Sequence, residues 1–207
     1  EDYHINKTNK CAEAGYQLLH IFENEWRDPA KRRIWESVIE SKIGTSARIY
    51  ARNTIVQKIS DVEAYNFCEQ NHLQGGVHAS HNYGLLYGDD LVAVMTFSKS
   101  RYNKNYDWEL IRSCTLVGST VVGGASKLLK AFRKDNKGSI ISYANRRWSN
   151  GNVYEKLGFK YTGETQQNYF YFKTRDGSRY PLDYKLHSRI EFQKHKLKDI
   201  LKNFDSE

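Results

Sequence analysis

The sequence predicts a mixed α/β (α+β) fold, one mixed central sheet flanked by helices. Three observations carry this. Between residues 50 and 174, strand-like and helix-like patterns follow one another in the order β-α-β-β-β-α-β-α-β-β. Tyr83–Tyr87 and Leu91–Phe97 are joined by Gly88-Asp89-Asp90, a hairpin signal. A Gly-rich run, Gly118 to Ala125, separates a strand pattern from a helix pattern and so marks a tight strand-to-helix turn.

The elements follow in order. Asn6 to Ala14 reads as the end of a polar helix, stopped at Gly15. Tyr16 to Phe22 reads as a buried strand, followed by Glu23-Asn24-Glu25-Trp26 as a solvated strand end. Asp28-Pro29 is an N-cap with Pro at the first helical position, opening a helix over Ala30 to Ile43 that Gly44 ends. Ile34, Trp35, Val38 and Ile39 share one face of it. Thr54 to Ile59 alternates as a strand, and Ser60-Asp61-Val62-Glu63 is a capping box that starts a helix to Asn71. The loop His72–His81 leads into the hairpin, and the polar loop Ser98–Tyr106 into a strand over Trp108–Leu116. After the Gly-rich run come a helix over Ser126–Lys134, a strand over Ser139–Tyr143 and a short helix over Asn152–Leu157 stopped by Gly158. Strands over Phe159–Thr162 and Tyr169–Lys173 close the series, and a last helix is expected from Ser188 to Phe204.

Composition narrows the class. The chain has 207 residues, room for one to two domains. Charged residues at 27% alongside 14% aromatics exclude a disordered chain. No apolar run approaches the roughly 18 residues of a membrane-spanning helix. Cys11, Cys68 and Cys114 are too few and too irregular for a disulfide framework and fit a reducing cytoplasm, the expected location. The opening Glu1-Asp2-Tyr3-His4, without Met and inside a helical pattern, is expected of a fragment or processed product.

Net charge is +8, and residues 173–202 hold nine basic against four acidic residues, a net of +5. Tyr180, Tyr184, Phe192 and His195 interleave with them. Basic side chains neutralise phosphates and aromatic planes stack on bases, so double-stranded DNA is the expected partner. The candidate DNA-binding residues are Arg101, Lys104, Arg146, Arg147 and Trp148 in loops, with Arg179, Arg189, Lys194 and Lys196 in the tail. Cys68, His72, His78 and His81 have ligand chemistry, but Cys-x3-His-x5-His-x2-His matches no zinc spacing, so no metal is assigned to them.

Two motifs resemble the GNAT N-acyltransferase family. One is Val122-Gly123-Gly124-Ala125-Ser126-Lys127-Leu128-Leu129 at the strand-to-helix turn; the other is Val153-Tyr154-Glu155-Lys156-Leu157-Gly158-Phe159. The resemblance implies a GNAT-like fold in which the backbone at Val122, Gly123, Gly124, Ala125, Ser126 and Lys127 binds acyl-CoA. It also implies Tyr154 as general acid to the departing thiolate. The family's turn reads Gln/Arg-x-x-Gly-x-Gly/Ala, and Thr120 stands at the Gln/Arg position here.

Asn71-His72, Glu109-Leu110-Ile111-Arg112, Ser126 and Ser142-Tyr143-Ala144-Asn145 are similar to Mom-type phage DNA-modification proteins. That pattern implies His72, Ser126 and Asn145 as catalytic positions. Asn145 stands where an Asp is expected, and Leu73 where a Tyr is expected.

The whole chain resembles the C-terminal part of phage mobile (homing) endonucleases, which join a Vsr-like, PD-(D/E)XK-related nuclease of the EDxHD type to a GNAT-like domain. The matching residues are Tyr3 to Cys11, Gly15 to Trp26, Asn71 to Gly75, Val122 to Leu129, Ser142 to Gly151 and Phe192 to Leu197. The resemblance implies a nuclease remnant over 1–49, a GNAT/Mom-like domain over 50–174 and a basic helical tail over 175–207. His4 and Glu23 are the plausible survivors of the nuclease site, and Mg²⁺ would be needed only if that hydrolase part were complete.

Three functions stay open. The first is a DNA-binding module of a bacteriophage mobile-endonuclease protein, its GNAT-like domain reading the target. The alternative is a GNAT/Mom-like acyltransferase on a DNA base or amine, using acyl-CoA with Tyr154 as acid and His72 as base. The third is a non-catalytic interaction or inhibitor protein.

Overall fold

The computed structural model describes residues 3–165, together with the backbone of Phe170–Tyr171 and His187–Ser188. The basic tail is therefore outside the described residues for Arg179, Arg189, Lys194 and Lys196, and so is the expected C-terminal helix from Arg189 onward.

Three helices open the chain: α1 (Tyr3–Glu13), α2 (Glu23–Arg27) and α3 (Pro29–Ile43). Asp28 caps α3 as expected, accepting from the Ala30 N–H at 2.8 Å, and Gly44 ends it in the left-handed conformation. Two short strands frame the next turn, β1 (Ala47–Tyr50) and β2 (Ile55–Lys58), with a 3-10 turn at Ala51–Asn53 between them. The helix α4 (Asp61–Asn71) starts at the Ser60/Glu63 capping box. There follow β3 (His81–Tyr87), β4 (Asp90–Lys99), β5 (Trp108–Thr115), β6 (Ser119–Val122), α5 (Gly124–Asp135), β7 (Ile140–Ser142) and α6 (Asn152–Lys156). A final pair, β8 (Phe170–Tyr171) and β9 (His187–Ser188), is antiparallel.

The main sheet has five strands in the order β2-β3-β4-β5-β7. The first three pairings are antiparallel and β5-β7 is parallel. Helix α5 covers one face, where Tyr83, Leu85, Met95, Phe97, Trp108 and Leu110 meet Leu128, Leu129 and Phe132. Phe132 is fully buried and stacks on Phe97 with ring centroids 3.7 Å apart. Helix α4 covers the other face, with Ala64, Phe67 and Cys68 against Val94. The architecture is thus the predicted mixed sheet flanked by helices.

Three local expectations are corrected. Tyr16–Phe22 is not a strand and pairs with none among the described residues. It lies along the loop that follows β7, where the His20 N–H donates to the Arg147 carbonyl at 2.9 Å. Phe159–Thr162 is not a strand either: Phe159 packs on the α5-side core, and the residues after it are exposed. Third, the Gly-rich run is not all turn. Its centre is β6, which pairs in parallel with β1 over Ala47–Tyr50 and Ser119–Val122. No local pattern announces such a pair, because its two halves lie far apart in sequence.

The first helices share a core with the sheet domain. Ile34, Trp35 and Leu73 are buried together, with Ile21, Val38, Val117 and Trp148 packed around them. Glu25, expected on a solvated strand end, instead pairs with Arg147, and both side chains are mostly buried.

Candidate functional site

Strand β7 pairs with β5 only from Trp108 to Leu110, where the Ser142 hydroxyl donates to the Leu110 carbonyl at 3.2 Å. Strand β5 then continues through Ile111 to Thr115 with no strand on that side among the described residues. Ile111 is an extra residue in the β4-β5 register, because Phe97 faces Leu110 while Thr96 faces Arg112. The sheet therefore splits at the carboxyl end of its parallel pair, the place where open α/β sheets receive ligands.

Helix α5 begins level with the end of the unpaired stretch of β5. Thr115 faces Ala93, Ala93 faces Leu85, and Leu85 touches the start of α5 at Gly124. Gly123 takes φ 78° and has no side-chain cap to offer, so the first N–H groups of α5 keep no intrahelical partner. Val122, Gly123 and Ser126 are exposed there. Gly124 has a packing role: a Cβ would sit 2.9 Å from Val121 Cγ1 and 3.2 Å from Leu85 Cδ1. The Lys127 backbone N–H, expected at the cofactor, donates to the Gly123 carbonyl at 3.1 Å, and the side chain straps α5 to the turn after β1. Its Nζ donates to the Ala51 carbonyl at 2.8 Å and to the Thr54 carbonyl. Thr120 is also engaged structurally, with its hydroxyl 2.9 Å from Ser41 Oγ and 2.7 Å from Ser46 Oγ.

Arg112 projects from the β5 stretch that β7 has left. Its guanidinium donates to the carbonyls of Gly75 at 3.0 Å, Gln74 at 3.4 Å and Ile111 at 3.0 Å. No carboxylate forms an ion pair with it among the described residues. This partly buried positive charge acts on His72. Burial first, then Arg112 and Lys31, push the His72 pKa down to about 3. The His72 Nδ1 accepts the Gln74 N–H at 3.1 Å, which leaves the proton of the neutral ring on Nε2. His72 is therefore a hydrogen-bond donor at neutral pH, and the general-base role expected of it has no free lone pair to use.

Asn145 forms a turn. Its Oδ1 accepts the Arg147 N–H at 3.0 Å, and its carbonyl accepts from Trp148 and Ser149. Tyr154 in α6 packs on the core and meets Phe159 edge-on at 5.6 Å. Its hydroxyl makes no hydrogen bond among the described residues.

The basic loop residues have partners within the chain, although Arg101, Lys104 and Arg146 stay exposed. Arg101 grips both carboxylate oxygens of buried Glu109, at 2.8 and 3.3 Å. Lys104 donates to the Ser100 carbonyl at 2.7 Å. Arg146 pairs with Glu164 at 2.7 Å and donates to Asn9 at 3.1 Å. Arg147 stacks over Phe22 with its guanidinium carbon 3.7 Å from the ring centroid, and Trp148 meets Trp35 edge-on at 6.0 Å. Arg147 and Trp148 thus build the joint to the N-terminal helices and present no free recognition surface.

The histidine and cysteine candidates diverge. His78 binds Asp61 at 2.6 Å and stacks on Tyr65, His81 binds Ser80, and Cys68 faces Cys114. Among the described residues no group of three or more His, Cys, Asp or Glu could hold a metal ion. None of their helices is long and apolar enough to cross a membrane. Of the nuclease candidates, Glu23 pairs with Arg27 at 2.6 Å and His4 meets His20 edge-on at 5.7 Å.

Sequence reasoning missed Arg112 as a site residue. The signal was present, since Glu109 and Arg112 are the two charged residues of that strand.

No protein-family model matches the chain. No curated protein matches it. Among solved structures, it is similar to an aminoglycoside acetyltransferase, meta-AAC0020, from an uncultured soil metagenomic sample. In the complex with sisomicin the identity is 12%, the match covers 60% of this chain and 98% of that one, and the TM-score is 0.39. In the complex with trehalose the identity is 13%, the coverage is the same and the TM-score is 0.38.

Proposed function

We propose that the chain is a GNAT-type N-acyltransferase that takes acyl-CoA as donor and an amine as acceptor. The observation that carries this reading is positional: the uncapped N-terminus of α5 lies level with the end of the β5 stretch that β7 has left. Free N–H groups and the helix dipole favour an anion there. The backbone of Gly124, Ala125 and Ser126 would hold the pyrophosphate, and the exposed, Cβ-free Gly123 leaves it room. Bound acyl-CoA supplies an activated acyl group. Arg112 adds positive charge at the open edge of β5, and the His72 Nε2–H, near Arg112 at the end of α4, offers a donor. The Tyr154 hydroxyl, without a hydrogen-bond partner among the described residues, would give its proton to a departing thiolate. No side chain described here serves as a base, so the acceptor amine enters neutral or loses its proton to water.

The DNA-module reading rests on the charge of residues 173–202, outside the described residues. Within the described residues, the exposed Arg101, Lys104 and Arg146 already hold Glu109, the Ser100 carbonyl and Glu164.

Turnover tests the proposal. Acetyl-CoA and a panel of amines, followed by thiol release, should give product. Tyr154→Phe should lower kcat by about 10²-fold with little change in KM for acetyl-CoA. Absence of thiol release over the whole panel, together with no binding of acetyl-CoA, would remove the reading.

A further inference from the structure

The thiols of Cys68 on α4 and Cys114 on β5 face each other at 3.8 Å across the helix-sheet contact. Cys68 is buried, and both side chains pack in one apolar cluster with Ala64, Phe67 and Val94. The third cysteine, Cys11, lies apart on α1. We propose that Cys68 and Cys114 form an intramolecular disulfide when the protein meets hydrogen peroxide, stapling α4 to β5.

The pairing needs a modest approach of the two sulfurs, from 3.8 Å to about 2 Å, and residues on facing elements of one cluster are placed to make it. The thiols are not equivalent. The Cys114 S–H donates to the Cys68 sulfur, which lowers the Cys68 pKa against the opposing effect of burial, and the Arg112 guanidinium lowers it further. Cys114 is held as the thiol, its pKa raised by the same hydrogen bond and by burial. Cys68 is therefore the first to react. Its sulfur attacks one oxygen of peroxide, the O–O bond breaks and a sulfenic acid forms. The departing hydroxide takes the Cys68 proton and leaves as water. The Cys114 sulfur then attacks the sulfenic sulfur, the S–S bond forms and the S–O bond breaks. This second hydroxide leaves as water with the Cys114 proton. Two thiols and one peroxide give one disulfide and two waters, the protein losing two electrons. A water-sized oxidant suits the site because Cys68 is almost wholly enclosed.

This inference is independent of acyl transfer. The full chain is treated with hydrogen peroxide, denatured in an alkylating agent, digested and mapped by mass spectrometry. The expected result is a Cys68–Cys114 cross-linked peptide, a loss of about 2 Da on the intact chain, alkylated Cys11, and reversal by dithiothreitol. The oxidised chain should melt roughly 5 °C or more higher, because the link closes a long loop. Cys114→Ala should abolish the cross-link and leave Cys68 open to dimedone. If that variant does not fold, the peptide map of the unaltered chain decides alone. Cys68 and Cys114 both remaining alkylatable once Cys11 is oxidised would overturn the proposal, as would Cys68 gaining two oxygens without a cross-link.

Discussion

Arg147 donates to the Glu25 carboxylate, joining the loop after β7 to the short helix α2. Glu25 also accepts from the Trp35 indole at 3.1 Å, and Arg147 lies over the Phe22 ring. The pair is mostly buried, so removing one member leaves the other charged and unpaired. Glu25→Ala is expected to destabilise the chain by about 3 kcal/mol. Replacing both, as Glu25→Leu with Arg147→Met, should cost less than Glu25→Ala alone. Urea titrations of the three chains check this.

The glycines of the strand-to-helix turn differ in what they do. Gly124→Ala places a Cβ against Val121 and Leu85, with an expected cost of about 1–3 kcal/mol. Gly123→Ala meets only the Ala51 Cβ at 3.7 Å, an ordinary contact, but must hold φ 78°, an expected cost of about 1–2 kcal/mol. Thermal unfolding measures both. Substituting Leu85 by Val should rescue part of the Gly124→Ala loss and none of the Gly123→Ala loss.

Lys127 distinguishes a strap from a cofactor ligand. Lys127→Met takes the ammonium donor from the Thr54 carbonyl, while the Ala51 carbonyl keeps the Thr54 N–H and hydroxyl, and should destabilise by about 1–3 kcal/mol. Acetyl-CoA affinity, measured on the folded variant, should change less than about threefold. A large affinity loss at unchanged stability would return Lys127 to the cofactor.

His72 predicts a pH dependence. Its folded pKa, about 3, lies below the unfolded value near 6.5. The unfolded chain therefore takes up a proton that the folded chain refuses. The His72 contribution is fully present above about pH 6.5 and is lost as pH falls toward 3, on the order of 5 kcal/mol in all. Stability curves between pH 7 and 4 should fall less steeply for His72→Gln than for the unaltered chain.

Much of the fold was legible because its signals are local. The Ser60/Glu63 box, the Asp28-Pro29 start and the hairpin at Gly88 each declare themselves within a few residues. β1 and β6 did not, since each is four residues long and makes sense only with its distant partner. The site divided in the same way. The turn at Gly123 and Gly124 was readable from glycine chemistry. That Arg147, Trp148 and Lys127 serve as joints and straps was not, because a basic or aromatic side chain looks the same in sequence whether it faces water or a buried partner. Cys68 and Cys114 lie 46 positions apart, and only the packing of α4 on β5 makes them neighbours.

The most direct test of the account is calorimetric titration of acetyl-CoA into the unaltered chain and into Ser126→Glu. Ser126 is exposed in the first turn of α5, where a carboxylate suits the helix dipole but repels a pyrophosphate. The account predicts a dissociation constant below about 1 mM for the unaltered chain. For Ser126→Glu it predicts at least a tenfold weakening with no loss of thermal stability. Absence of acetyl-CoA binding at millimolar concentration, or equal affinity in the two chains, would contradict it.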